Sequence, residues 1–137
     1  MIIKIAVIIP CYKAKNKVGL LFDDLLQIAS KLKEFCEINF FVVNDNCPEY
    51  SYKEIPKSDL IYIIHNENNS GVGKSSLVGF REALKYGNEI FIKMDADGQH
   101  PPDYLYELIP YLLSLSHKKL FLVKGTRYHF PISNIKI

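Results

Sequence analysis

Short runs of β-branched and other apolar residues alternate with longer segments of helical periodicity along nearly the whole chain, and this alternation narrows the fold more than any other feature. Ile3–Ile9 reads as a buried strand. Val18–Phe35 reads as a helix, with apolar Leu21, Leu25, Ile28 and Leu32 at helical spacing. Phe40–Val43, Leu60–Ile64, Glu89–Met94 and Leu120–Lys124 read as further strands. Asn44–Asp59 is polar and proline-interrupted, so mostly loop with at most one short helical turn. Asn66–Gly73 is a loop, and Ser75–Tyr86 a helix stopped by Gly87, since glycine accepts the positive φ of a helix C′ position. Asp103–Ser116 is helical in pattern, although Pro110 should kink it or end its first part, and Gly125–Ile137 is irregular.

Strands that alternate with helices build an α/β fold, here a mostly parallel sheet sandwiched by helices in Rossmann-like fashion. With 137 residues, 48% of them apolar, the chain suits a single domain over residues 1–137, with no repeat or linker. Charged residues at 23% exclude general disorder. A net charge of +2 and a pI near 8.3 are too mild to indicate nucleic acid, and the 9 Tyr and 8 Phe are scattered through apolar segments that need a core. No apolar run approaches the ~18 residues that cross a bilayer. The apolar start lacks a basic leader and a cleavage site, so it is a first strand. Cys11, Cys36 and Cys47 are an odd number without metal-ligand spacing, as expected of reduced thiols in a cytoplasmic protein. Cys11 and Cys47 both follow strands and can be neighbours, but a bridge between them is disfavoured.

In parallel sheets ligands bind beyond the carboxyl ends of the strands. Those ends carry Pro10-Cys11-Tyr12, Asn44-Asp45-Asn46, His65-Asn66, Asp95-Ala96-Asp97 and Gly125-Thr126-Arg127, which gathers the chemically distinctive residues at one edge. Asp95 and Asp97 stand out. Strand periodicity puts both carboxylates on one side of the chain as the strand runs out. Like charges so close call for a divalent cation, and hard oxygen ligands select Mg²⁺ or Mn²⁺. Gln99 offers a further oxygen ligand or a bond to a phosphate. The plainer alternative is a pair of loop aspartates capping the next helix.

Asn69–Ser76 ends in Gly73-Lys74-Ser75 and resembles a phosphate-binding P-loop, with Asp95 as the partner aspartate of a nucleoside triphosphatase. Asn68 stands where that motif needs its first glycine, and the loop follows the third strand instead of the first. Gly71 and Gly73 still permit close backbone approach to a ligand, and Lys74 adds a cation. Asn44-Asp45-Asn46-Cys47-Pro48 is either turn chemistry alone or places Asp45 to accept N–H groups of a nucleobase. Tyr12 offers a flat face for a base, Pro10 fixes the backbone before it, and Lys124 and Arg127 suit phosphate charge. His65, His100, His117 and His129 show no ligand spacing, and His100 reads as a loop histidine that can reach the aspartates.

These segments, in this order, resemble the family 2 glycosyltransferases of GT-A fold, above all the branch of dolichyl-phosphate and polyprenyl-phosphate sugar transferases. The likeness rests on Val7–Tyr12, Val42–Asp45, Asn69–Gly73, Lys93–Pro102 and Lys124–Arg127. It implies transfer of a sugar from a UDP- or GDP-sugar to a polyprenyl-phosphate or glycan acceptor. Pro10, Tyr12 and Asp45 would hold the nucleoside, with Gly71, Gly73, Lys74 and Arg127 also on the donor. Asp95, Asp97 and Gln99 would be the catalytic, metal-anchoring group for Mg²⁺ or Mn²⁺ on the diphosphate. The sequence departs from the family at Lys13-Ala14-Lys15, which removes acidic groups near the nucleoside, and at Asn44 and Asn46-Cys47, which bears on base identity. The chain also stops soon after Gly125-Thr126-Arg127, before an acceptor-binding half, so weak activity or none is expected. A non-catalytic donor-binding remnant is the alternative. Location at the inner face of a membrane would come through the acceptor or a missing part.

Overall fold

The computed structural model describes residues 2–98 and 100–117. The fifth strand at Leu120–Lys124, the irregular Gly125–Ile137, and the site residues Gln99 and Arg127 lie outside the described residues. Four strands, β1 (Ile3–Cys11), β2 (Cys36–Asn44), β3 (Ile61–His65) and β4 (Ile90–Lys93), form one parallel sheet in the order β3-β2-β1-β4. Helices α1 (Val18–Lys31), α2 (Val72–Leu84) and α3 (Tyr104–Ser114) connect or follow them, and a single 3-10 turn spans Ser51–Glu54.

The two faces of β1 explain its unbroken apolar run. Ile5, Val7, Ile9 and Cys11 enter the larger core with α1 and α3, whereas Ala6 and Ile8 enter a smaller core with Phe41 and Ala83 of α2. A strand buried on both faces has no polar side to show. Phe22 of α1 meets Phe40 of β2 edge-on, with ring centroids 5.7 Å apart, which joins helix to sheet at the centre of the larger core. On the opposite face α2 comes close because Gly79 has no side chain. A Cβ there would lie 2.5 Å from Ile8 Cγ2 and 3.2 Å from Val43 Cγ2.

The larger differences from the sequence reading fall at helix and strand starts and ends. Helix α1 ends at Lys31, four residues before Phe35, and β2 starts at Cys36, four residues before Phe40. Residues 32–35 form a turn, with Leu32 donating to Ile28 O and Phe35 to Leu32 O. Tertiary pairing of Cys36 with Ile3 extends the strand where periodicity gave no signal. Helix α2 begins at Val72, so Gly73 and Lys74 belong to its first turn and not to the preceding loop. Helix α3 runs through Pro110, which neither ends nor divides it. Proline has no N–H for the carbonyl of Tyr106 one turn back, and Pro110 is exposed, where solvent can meet that carbonyl. Gly87 takes φ +76° as expected of glycine, but α2 ends earlier than the sequence reading, at Leu84 with Lys85 as C-cap. Gly87 therefore lies one residue past C′ and donates to Leu84 O at 3.3 Å.

Candidate active site

Register fixes the geometry of the carboxyl edge. Cys11 of β1 pairs with Asn44 of β2, and Asn44 with His65 of β3, so the three last residues stand in a row. Lys93 of β4 pairs with Ile8, and Met94 donates its N–H to Ile8 O at 2.9 Å, so Asp95 leaves the sheet near the level of Pro10. Strand β4 stops at Lys93 and residues 96–97 turn, yet the alternation persists: Met94 and Ala96 are buried, Asp95 and Asp97 half-buried. Both carboxylates therefore open beyond the sheet edge, beside the end of β1.

His100 returns to this pair, a stronger role than that of a loop histidine. Its Nδ1 accepts the Asp95 N–H at 3.1 Å, which leaves the proton of the neutral ring on Nε2. That nitrogen lies 3.5 Å from Asp95 Oδ2, so one ring steadies both the backbone and the carboxylate of Asp95. Gly98 reaches φ +80°, the left-handed conformation that reverses the chain between Asp97 and His100. Helix α3 begins at Tyr104 without a side-chain cap from its N-cap residue Asp103. Among the described residues no three His, Cys, Asp or Glu side chains converge as a closed metal site. Two half-exposed carboxylates suit a hard ion such as Mg²⁺, which keeps several waters and takes its remaining ligands from substrate phosphates.

Asp45 does something the sequence did not disclose. Buried just past β2, its Oδ1 accepts the Ser70 N–H at 2.8 Å, the Ser70 hydroxyl at 3.0 Å and Asn66 Nδ2 at 3.0 Å. Its Oδ2 accepts the Gly71 N–H at 2.9 Å. Burial pushes the Asp45 carboxyl upward, but the donors of Ser70, Asn66 and Gly71 outweigh it and hold the group below the usual carboxylate value. N–H donors do converge on Asp45, as expected, but they come from this chain's own 66–71 loop. Asn66 Nδ2 lies also 3.2 Å from Ser70 Oγ and 3.1 Å from Ser75 Oγ, which ties the same loop to α2. Asn66 was placed at the end of the third strand and Ser70 within the Asn69–Gly73 segment, but neither was expected to hold Asp45.

This clamp also disposes of the P-loop resemblance. A P-loop turns its backbone N–H groups toward phosphates. Here the Ser70 and Gly71 N–H groups point inward to Asp45, and Ser75, whose hydroxyl would have to reach a metal, is completely buried under Asn66. Gly71 has φ +87°, and among the described residues no atom would meet a Cβ at Gly71 or Gly73. Lys74 lines a groove of about 630 Å³ with His65, Asn66, Ser70 and Arg81, which does not include Asp95 or Asp97.

At the end of β1, Tyr12 is 40% exposed, with Lys13 Nζ 5.5 Å above one face of its ring. The loop after it is held by the segment after β2. Lys13 N–H donates to Cys47 Sγ at 3.1 Å, Ala14 N–H to Ser51 Oγ at 2.9 Å, and Asn16 N–H to Glu54 at 2.8 Å. Glu54 restores an acidic group beside the loop whose own Lys13-Ala14-Lys15 had removed it. Asn44 Oδ1 accepts the Cys47 N–H at 3.1 Å, the turn chemistry expected there, and its amide meets His65 Nδ1 at 3.0 Å. All three cysteines are buried free thiols. Burial, with Cys47 and Glu54 nearby, pushes Cys11 up to about 12. Burial also pushes Cys47 up, but donors from Ser51, Lys13 and Glu49 outweigh it and draw that thiol below its usual value.

A parallel sheet whose carboxyl edge gathers Tyr12, Asp45 and the Asp95/Asp97 pair defines a Rossmann-like α/β domain of the GT-A kind. The family model for glycosyl transferase family 2 matches residues 6–120, and the chain belongs to that family. It is 28% identical over 109 residues to polyprenol monophosphomannose synthase of Mycolicibacterium smegmatis, covering 75% of this chain and 38% of that protein. It is 28% identical over 128 residues to dolichol-phosphate mannosyltransferase of Pyrococcus furiosus, covering 91% and 33%. With dolichol-phosphate mannosyltransferase of Saccharomyces cerevisiae the identity is 32% over 133 residues, covering 93% and 46%. The chain therefore spans between a third and a half of the length of these relatives. Among the described residues no helix is long and apolar enough to cross a membrane.

Proposed function

We propose that the chain binds a nucleotide-sugar donor in a metal-dependent manner and serves sugar transfer to a polyprenyl-phosphate acceptor. The observation that carries this reading is the half-exposed Asp95/Asp97 pair, opening beyond β4 beside the end of β1. Asp95 and Asp97 would hold Mg²⁺ or Mn²⁺, with Gln99 assisting as the family resemblance implies. Such an ion, when bound, supplies Lewis-acid stabilisation to the leaving nucleoside diphosphate. His100 fixes the Asp95 carboxylate before any ligand arrives, so less ordering remains to be done on binding. Pro10 and Tyr12 would carry the nucleoside, with the base on the ring face that Lys13 leaves open.

Asp45 would act by holding the Ser70–Gly71 turn, and through it the first turn of α2, at the pocket wall. Gly71 and Gly73 would let the donor approach that wall closely, and Lys74 and Arg127 would add positive charge. A lipid phosphate acceptor brings its own nucleophilic oxygen, which explains why the edge needs no strong base. The relatives named for polyprenol and dolichol phosphates support this acceptor class. The test is turnover of GDP- and UDP-sugars with a polyprenyl phosphate and Mn²⁺. Formation of the sugar phospholipid is the expected result; donor binding without transfer would reduce the chain to a donor-binding module.

A further inference from the structure

Helix α2 lays Ser75, Ser76, Gly79 and Ala83 on the sheet. Its opposite side carries Lys74, Leu77, Arg81, Leu84 and Lys85, all exposed, at the three- and four-residue spacing that stacks side chains into one stripe. Leu77 and Leu84 are 54% and 61% exposed, too much for a helix face that packs on its own domain. Single exposed leucines are ordinary, but here two are interleaved with three cations along one stripe. The stripe continues into the groove that His65, Asn66 and Ser70 line at the carboxyl edge. Two carboxylates oppose these cations: Glu82 pairs with Lys85 at 3.0 Å, and Glu67 lines the groove. Among the described residues neither Lys74 nor Arg81 has an ion-pair partner.

A small hydrophilic anion would satisfy the cations and leave the leucines in water. An apolar peptide would cover the leucines and strand the cations. An anionic bilayer surface meets both, with phosphates for the cations and an interfacial layer for the leucines. We infer that the outer face of α2 is a docking surface for an anionic lipid bilayer. Gly79 seats the helix against Ile8 and Val43, so this face is presented as a rigid plane. Docking there lays the groove of His65, Asn66 and Ser70 along the membrane surface, where a lipid-linked acceptor lies. The surface stands on α2's own residues and its test uses no donor, so its failure is distinguishable from failure of the sugar-transfer reading.

The test is flotation of the full chain at low salt with vesicles of phosphatidylcholine alone or with about one-third phosphatidylglycerol. The chain floats with the anionic vesicles and not with the zwitterionic ones. Arg81→Glu with Lys85→Glu lowers the bound fraction about tenfold, by reversing two charges at the surface. Leu77→Ser with Leu84→Ser lowers it several-fold, and circular dichroism of both exposed pairs matches wild type. Lys74 is left unchanged because the donor reading uses it. Absence of wild-type flotation, equal flotation of the charge-reversed pair, or an unaffected leucine pair would each overturn the inference. Retention on an anionic polymer such as heparin without flotation would do so too, by assigning the stripe to an acidic macromolecule.

Discussion

Asp45 is the residue on which the site's internal order turns. Removing a buried carboxylate that satisfies Ser70, Gly71 and Asn66 leaves those donors unmatched. Asp45→Ala should lower unfolding free energy by about 3 kcal/mol, measured by urea denaturation. Its pH dependence has a definite sign. Because the folded pKa is depressed, the stabilisation is fully present above the ordinary carboxylate pKa of about 3.9 and is lost as pH falls through the lower native value. Asp45→Asn should therefore flatten the part of the wild-type stability profile that falls between about pH 5 and the acid limit. Gly73 gives the complementary case. It sits in the first turn of α2 with open space where a Cβ would be. Gly73→Ala should raise stability by about 0.5–1 kcal/mol while weakening donor binding in calorimetry, because helix propensity improves as the approach to the backbone is blocked.

At the scale of elements, α2 and α3 each carry a residue that works against helix propensity, for different reasons. Gly79→Ala gains helix propensity but drives a methyl into Ile8 and Val43, both stiff at χ1, so a net loss of about 1–2 kcal/mol is expected by thermal or urea unfolding. Pro110 is exposed in the middle of α3 and buries nothing that justifies its missing N–H. Pro110→Ala should stabilise the chain by up to about 3 kcal/mol in the same measurement. The element pattern was legible because β1 and β2 are buried on both faces, and because α1 presents Leu21, Leu25 and Ile28 to one core. The errors fell at boundaries set by tertiary partners. Cys36 joins the sheet by pairing with Ile3, and Val72–Lys74 are helical although Gly73 argues against it. Asp95 was legible because strand-end carboxylates are conspicuous in sequence. Its partner His100 was less so, since a ring that folds back across a turn leaves no periodic trace; the place of Asn66 at a strand end was legible, but its bond to Asp45 was not.

For the whole molecule, the described residues form the sheet, the clamp and the aspartate pair, and the family match places all of these within glycosyl transferase family 2. The carboxyl edge of the sheet is where the chain's distinctive chemistry lies: the row of Cys11, Asn44 and His65, the loop held by Asp45, and the carboxylates beyond β4. Asp95 and Asp97 are proposed to hold a divalent ion against a nucleoside diphosphate. Isothermal calorimetry with UDP and GDP, with and without Mn²⁺, tests this in wild type and in Asp97→Ala. Metal-dependent binding of one diphosphate, lost in Asp97→Ala while the fold is retained, is the expected result. Diphosphate binding that ignores Mn²⁺ and survives Asp97→Ala, or tight ATP binding that depends on Lys74, would contradict it.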